Sequence, residues 1–426
     1  MASNFGSDST ALNAVLKEHY PEGLPIDLVY KTSKLLGMIP KIPMGGFGEH
    51  HKIPVRVGNV VSTSATFATA LASTQAAPTF TAFEVLSRKR YTLHGITGEA
   101  MNATGSGGDA AFVDAVKEAV DSATYAHGRA ISGEIFGDGS GQKGTVVTSM
   151  ADAAVTVVIR HREARNWEIG DTFSFYNASN ALLTSNTTEG ASVHTVTAID
   201  RNTDVTSATP TATLTFTPSA ATGTNVDAGH KLIKAGDLNL AMYGLEAWIP
   251  TVRSGLGTPF CGVTRSVDSQ RLAGLSADLS SITSAPSQVV RALRLSADAG
   301  QVVDTAVCSP SFFEEVSEAL GAKDTRERQA VKSADGKYGY TSLVIHGGGA
   351  GSVNLVADPD CPDNRLYLLE LSTWYIGHSS KGLPFMDDRD GNKFIKSATS
   401  DSMDFRIISY ANLICRSPGR NASYIV

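Results

Sequence analysis

One long run of helical periodicity, residues 109–136, restricts the folds open to this chain more than anything else in it. Phe112, Val113, Val116, Val120, Ala123, Ala130, Ile131 and Ile135 recur at steps of three, four or seven, so a helix gathers them on one stripe. Ser106-Gly107-Gly108 precedes the run, and Gly137-Asp138-Gly139-Ser140-Gly141 follows it. Asp109 stands where an N-cap belongs and Gly137 where a left-handed stop belongs. Continuous, such a helix would be roughly 42 Å long. It is a strut, it carries no chemistry of its own, and the rest of the chain must supply a surface for it.

The flanking segments change texture around that strut. Residues 1–48 read as an arm: a short amphipathic helix near Ser9–Tyr20, then a second short helix over Asp27–Leu36, capped by Asp27 and stopped by Gly37. Prolines at 21, 25, 40 and 43 keep the intervening backbone extended. So few apolar clusters cannot fold alone, so the arm is expected to lie on something else, and removal of residues 1–44 is expected to leave a folded subunit impaired in assembly. Lys52–Val57 and Phe80–Ile96 are strand-like and pair as a hairpin, with a small-residue segment projecting between them. Arg88-Lys89-Arg90 in the second run is read as a solvated strand face rather than a contact for nucleic acid. From Gly144 to about Ala235, short alternating segments separated by Asn, Thr, Gly and Asp predict an inserted all-β module, a small barrel or a sandwich. Trp248 follows as a core anchor. Beyond about 264, helices at Pro286–Leu295 and Ser309–Leu320 alternate with strands, and the tail from Leu366 is rich in strands.

Composition excludes several functions. Charged residues are only 18% of the chain, below the quarter or so usual for a soluble domain, which implies a surface largely hidden against copies or partners. With 36 basic and 42 acidic residues the net charge is -6, so a general electrostatic grip on nucleic acid is missing. The cysteines Cys261, Cys308, Cys361 and Cys415 are far apart and read as reduced core residues. No apolar run reaches the roughly 18 residues of a membrane span, and the N-terminus lacks a signal-peptide layout.

Motifs that could carry chemistry fail on context. Gly139-Ser140-Gly141-Gln142-Lys143-Gly144 satisfies GxGxxG, but it follows a helix and precedes strands, the reverse of a dinucleotide site. Gly347–Gly351 reads as a hairpin tip. Asp387–Asn392 lacks the acid an EF-hand needs, since Met386 stands in its place. Glu49-His50-His51 puts adjacent histidines on opposite faces of a strand. Catalytic, cofactor-binding and metal-ligating residues are therefore all expected to be absent, and no cofactor is expected.

The order of parts, with Ile135-Phe136-Gly137-Asp138-Gly139-Ser140-Gly141 and Asp358-Pro359-Asp360 through Gly377, resembles the major capsid proteins of tailed bacteriophages. That resemblance implies an α+β chain in the tailed-phage major capsid (Hong Kong 97-like) fold. Its parts would be an N-terminal arm (1–48), an extended loop (49–79), and a peripheral domain (80–144) with spine helix 109–136. An inserted β-rich domain (145–235), a peripheral return (236–263), an axial domain (264–365) and peripheral C-terminal strands (366–426) would follow. It further implies a non-enzymatic virion protein, assembled in the bacterial host cytoplasm into pentamers and hexamers of an icosahedral head. A scaffolding protein, a portal and decoration or cement proteins would be its partners, with non-specific proximity to packaged double-stranded DNA and no membrane. Little N-terminal processing is expected. The alternatives are an encapsulin-like nanocompartment shell and, from another class, a mixed α/β enzyme or carbohydrate-binding protein.

Overall fold

Ser402–Cys415, a 14-residue strand, is the member on which the body is built. It pairs antiparallel with Arg88–Thr97 on one side, from Ser402 opposite Thr97 to Ala411 opposite Arg88, and with Trp374–His378 on the other. Lys41–Pro43 and Gly6–Ser7 add in parallel at the two margins, and Phe385–Met386 and Ile395–Lys396 pair with the central strand, giving seven strands in all. This computed structural model describes residues 6–7, 33–44, 51–60, 62–72, 78–97, 115–151, 154–183, 193–204, 207, 209–218, 226–321, 343–347, 351–379, 383, 385–386, 394–396 and 400–426.

The run expected as one strand over Phe80–Ile96 divides at Leu86-Ser87. Thr79–Val85 pairs with His51–Gly58 in a separate two-stranded ribbon, and Arg88–Thr97 joins the large sheet. At the break, Asn412 Nδ2 donates to the Leu86 carbonyl at 2.8 Å, taking the acceptor that a continuous ladder would use.

The described part of the spine helix is Ala115–Glu134, about 30 Å long; the expected cap at Asp109 lies outside the described residues. The helix ends two residues short of the predicted Phe136, and the left-handed backbone falls at Gly139 (φ 89°) and Gly141 (φ 86°), not at Gly137. Tertiary contact decides this. Gly244 N donates to Gly137 O (3.1 Å) and Leu245 N to Ile135 O (2.8 Å), and a Cβ at residue 244 would come within 2.4 Å of Glu134 O. Only glycine allows that approach.

The helix seats on Arg88–Thr97 through polar contacts. Buried His127 bridges Thr92 Oγ1 (2.8 Å) and Ser409 Oγ (2.9 Å), and Glu134 accepts an ion pair from Arg90. Arg88 donates to the Tyr243 hydroxyl at 2.6 Å and lies over its ring. The solvated face expected of Arg88-Lys89-Arg90 therefore belongs to Lys89 alone, because a strand's period of two turns residues 88 and 90 the other way.

Residues 142–234 form a six-stranded antiparallel sheet in the order Gln142–Thr145, Lys231–Lys234, Thr172–Tyr176, His194–Asp204, Thr211–Thr217, Thr156–Arg160. Val146 pairs with Ile159, and Val147 N donates to Val158 O at 2.9 Å, so the first strand meets the last and the sheet closes as a barrel. Closure removes the sheet edges. Trp167, Phe173, Phe175, Phe216 and Leu232 fill the barrel in a core that includes no residue of the body.

A third sheet runs Leu275–Asp278, Ala422–Ile425, Arg365–Leu369, Thr305–Cys308, Gly351–Ala357, Leu343–Gly347. Helices Ala285–Asp298 and Pro310–Gly321 cover it, the latter with its Ser309 hydroxyl accepting from Phe312 N (3.2 Å). Two tail strands placed by sequence with the peripheral strands of 366–426, Arg365–Leu369 and Ala422–Ile425, thus belong to the sheet built mainly from 264–365. The cause is the two-residue period: Tyr367 and Leu369 enter the main body core while Leu366 and Leu368 enter the core under the two helices. One strand serves both.

The arm needs the larger correction. Residues 33–44 lie on their own chain: the short helix Lys34–Met38 is capped by Ser33, runs through Gly37, and buries Leu35 and Ile39 in the main core. The cap expected at Asp27 lies outside the described residues. Deleting residues 1–44 would open that core, so the truncated chain is expected to lose fold as well as assembly.

His127 supplies a pH test. Burial, helped by the nearby Arg90 charge, lowers its pKa from 6.5 to about 4. The folded state thus refuses a proton that the unfolded chain accepts, so the contribution is complete above pH 6.5 and is lost as pH falls to about 4. Denaturant titration should show a loss of about 3 kcal/mol across that window, and His127→Gln should flatten it.

Candidate functional site

The sequence Asp358-Pro359-Asp360-Cys361-Pro362-Asp363 leaves the strand Gly351–Ala357 and turns beneath the end of the spine helix. Three otherwise separate parts of the chain meet there. Asp358, with no exposed surface, accepts from Leu35 N at 2.8 Å and from the Ser33 hydroxyl, which holds the N-terminal segment. Its other oxygen accepts from Asp360 N at 2.8 Å. Asp360 receives Arg129 in a two-pronged pair (2.7 and 2.6 Å) and the Ser132 hydroxyl (2.7 Å) from the spine helix. The barrel contributes Arg165, whose Nη2 donates to Asp360 Oδ1 (2.8 Å) and to Pro359 O (2.6 Å).

The chemistry of this node is electrostatic. Two buried carboxylates face two guanidinium groups, and burial of charge is tolerated only when it is paired and hydrogen-bonded. Burial by itself would raise the Asp360 carboxyl, but the Arg129 and Ser132 hydrogen bonds and the Arg129 and Arg165 charges outweigh it and hold the group below the ordinary carboxylate range. Each oxygen of Asp360 accepts two donors, so the group has no spare capacity for a ligand. Beside it, a polar cleft of about 290 Å³ separates barrel from body, with Arg160, Arg162, Glu163 and Arg365 among its walls. Arg162 Nε donates across the cleft to Asp363 at 3.1 Å, and Arg160 lies 3.8 Å from the same carboxylate.

Of the motifs weighed for chemistry, Gly139–Gly144 leads from the spine helix into the first barrel strand, and Gly347 and Gly351 pair at the end of an antiparallel hairpin. Asp387–Asn392, Glu49 and His50 lie outside the described residues; His51 Nε2 stands 3.3 Å from the Tyr375 hydroxyl. No three His, Cys, Asp or Glu side chains converge as a metal site among the described residues, and the cysteines there are unpaired. No described helix is long and apolar enough to cross a membrane. Sequence reasoning singled out Asp358 and Asp360 but missed Ser33, Arg129, Ser132 and Arg165. An arginine and a serine three apart beside the apolar stripe of the strut were the available signal.

A second feature faces outward. The ribbon of His51–Gly58 and Thr79–Val85 ends in the short helix Phe67–Leu71, where Phe67 is 83% and Leu71 74% exposed, with Phe80 65% exposed on the ribbon itself. These three large apolar side chains are thus left open to solvent on the ribbon and its short helix.

No family model matches this chain, and no curated protein matches it. Among solved structures, the capsid asymmetric unit of cyanophage A-1(L) is similar over 95% of both chains, with a TM-score of 0.53 at 12% identity. Mycobacterium phage Ogopogo aligns over 96% of this chain and 97% of its own (TM-score 0.42, 11% identity). The SrpI encapsulin complex of Synechococcus elongatus aligns over 100% and 96% (TM-score 0.43, 8% identity). The fold is the phage capsid fold that the sequence resemblance implied, resting on the first of these likenesses.

Truncating Asp360 to alanine leaves Arg129 and Arg165 without their carboxylate, holding only the Asn166 side chain and the Pro359 and Arg162 carbonyls. Denaturant unfolding should register a loss of about 3–5 kcal/mol. Asp363→Ala, which removes a carboxylate 46% exposed, should cost no more than about 1 kcal/mol.

Proposed function

We propose that this chain is the major subunit of a closed protein shell, a phage head built from pentamers and hexamers around double-stranded DNA. The observation that carries the reading is the likeness to the cyanophage A-1(L) capsid over 95% of both chains. The exposed tip of the ribbon supports it. Phe67, Leu71 and Phe80 are too exposed and too apolar for an isolated monomer, and a neighbouring copy of the chain is the surface that would cover them. Interfaces repeated through a shell are individually modest and collectively strong, so extended apolar tips suffice where a single large interface would otherwise be needed. The net charge of -6 suits a wall beside dense DNA, since a cationic lining would bind the genome it surrounds.

In this reading the ribbon is the extended loop, residues 264–365 line the symmetry axes as the axial domain, and the sheet built on Ser402–Cys415 with the spine helix is the periphery. The subunit is assembled in the host cytoplasm with a scaffolding protein, receives a portal at one vertex, and carries decoration or cement proteins. It has no catalytic role. Purified wild-type protein should form closed particles or rings by negative-stain microscopy. Phe67→Ser combined with Leu71→Ser should give capsomers or monomers with an unchanged circular dichroism spectrum. A wild-type chain that stays a monodisperse monomer would remove the shell reading, and full assembly of the double variant would remove the role given to the ribbon tip.

A further inference from the structure

We propose that Asp358-Pro359-Asp360 is a relay that couples the seating of the N-terminal segment 33–44 to the docking of the barrel, so that loosening either one loosens the other. The inference does not rest on the shell reading. Its basis is an unbroken series of polar contacts, buried at the N-terminal segment and half-buried toward the barrel. Leu35 N and the Ser33 hydroxyl bind one Asp358 oxygen, and the other oxygen accepts from Asp360 N. Ser132 Oγ accepts from Ser33 N at 2.9 Å while donating to Asp360 at 2.7 Å, so a second path joins the same two ends. Asp360 and the Pro359 carbonyl then hold Arg165 of the barrel.

Three physical features make this a coupling rather than a row of neighbours. The ring of Pro359 removes one backbone rotation between the two carboxylates, and the Asp360 N to Asp358 hydrogen bond ties them directly, so movement of one is passed to the other. The charges balance only as a set. Withdrawal of Arg165 leaves two carboxylates against Arg129 alone, and their remaining donors are Asp360 N and those of Ser33, Leu35 and Ser132, which must then rearrange. Finally, the barrel has its own core and no described apolar residue in common with the body cores, so its docking depends on polar contacts of this kind. A second set of contacts crosses the same cleft, Arg162 and Arg160 to Asp363, but it has no link to the N-terminal segment.

Amide hydrogen exchange on the full-length protein, compared in one assembly state, separates the possibilities. Arg165→Gln should accelerate exchange in residues 34–39, remote from the substitution, by at least about 5-fold. Ser33→Ala, too mild to unfold the chain, should accelerate exchange in residues 161–167 by a similar factor. Asp363→Asn should speed exchange in the barrel turn and leave residues 34–39 unchanged. The relay is overturned if either relay variant changes exchange only in its own element. It is equally overturned if Asp363→Asn loosens the N-terminal segment as much as Arg165→Gln, which would indicate general softening.

Discussion

Two carboxylates two residues apart, Asp358 and Asp360, set the arrangement of everything around them. An ionised carboxylate cannot be buried without donors, and the donors that satisfy this pair come from residue 33 onward, from the spine helix and from the barrel. Parts distant in the chain are therefore held to one spot by a requirement that none of them meets alone. Apolar packing joins the N-terminal segment, the ribbon, the spine helix and the C-terminal strands in one main core, while the barrel keeps a core of its own.

Such a node is a poor source of net stability, because desolvating four charges offsets much of their attraction. Its value lies in geometry. Arg129 meets Asp360 through two parallel hydrogen bonds, which fix an angle as well as a distance. The spine helix is thus fixed against the turn at 358–363, Arg165 ties the barrel to the same carboxylate across a polar cleft, and the glycines at 139 and 141, both left-handed, let the chain turn sharply into the barrel. Under the shell reading proposed above, a subunit that presents the same outline in every copy needs definition of this sort more than it needs extra core.

Much of this was legible in the sequence where period and apolar content agree. The described end of the strut stripe, Ala123, Ile131 and Ile135, the alternating strands of 145–235, the Trp248 anchor and the Ser309 cap all have local causes and are found where local rules put them. The misreadings share a different origin. The end of the spine helix is set by the backbone of Gly244 and Leu245, more than a hundred residues away. The strand break at Leu86 depends on Asn412. The N-terminal segment reads as an arm that lies on something else because its apolar clusters are few, yet Leu35 and Ile39 enter a core of its own chain already built by others. The node itself was half visible: the repeated acids and prolines of residues 358–363 stood out, while Arg129 and Arg165 looked like ordinary charges on a helix and a turn.

The placement of the tryptophans allows the central claim, that Asp360 joins barrel and body into one cooperative unit, to be measured directly. Trp167 lies in the barrel core, and Trp248 and Trp374 lie in the body. Denaturant unfolding followed by fluorescence in a Trp167→Phe chain reports the body, and in a Trp248→Phe, Trp374→Phe chain it reports the barrel. The two curves should coincide with Asp360 intact and separate when Asp360→Asn is added to each. Curves that still coincide after the substitution, or that are already separate without it, would contradict the account.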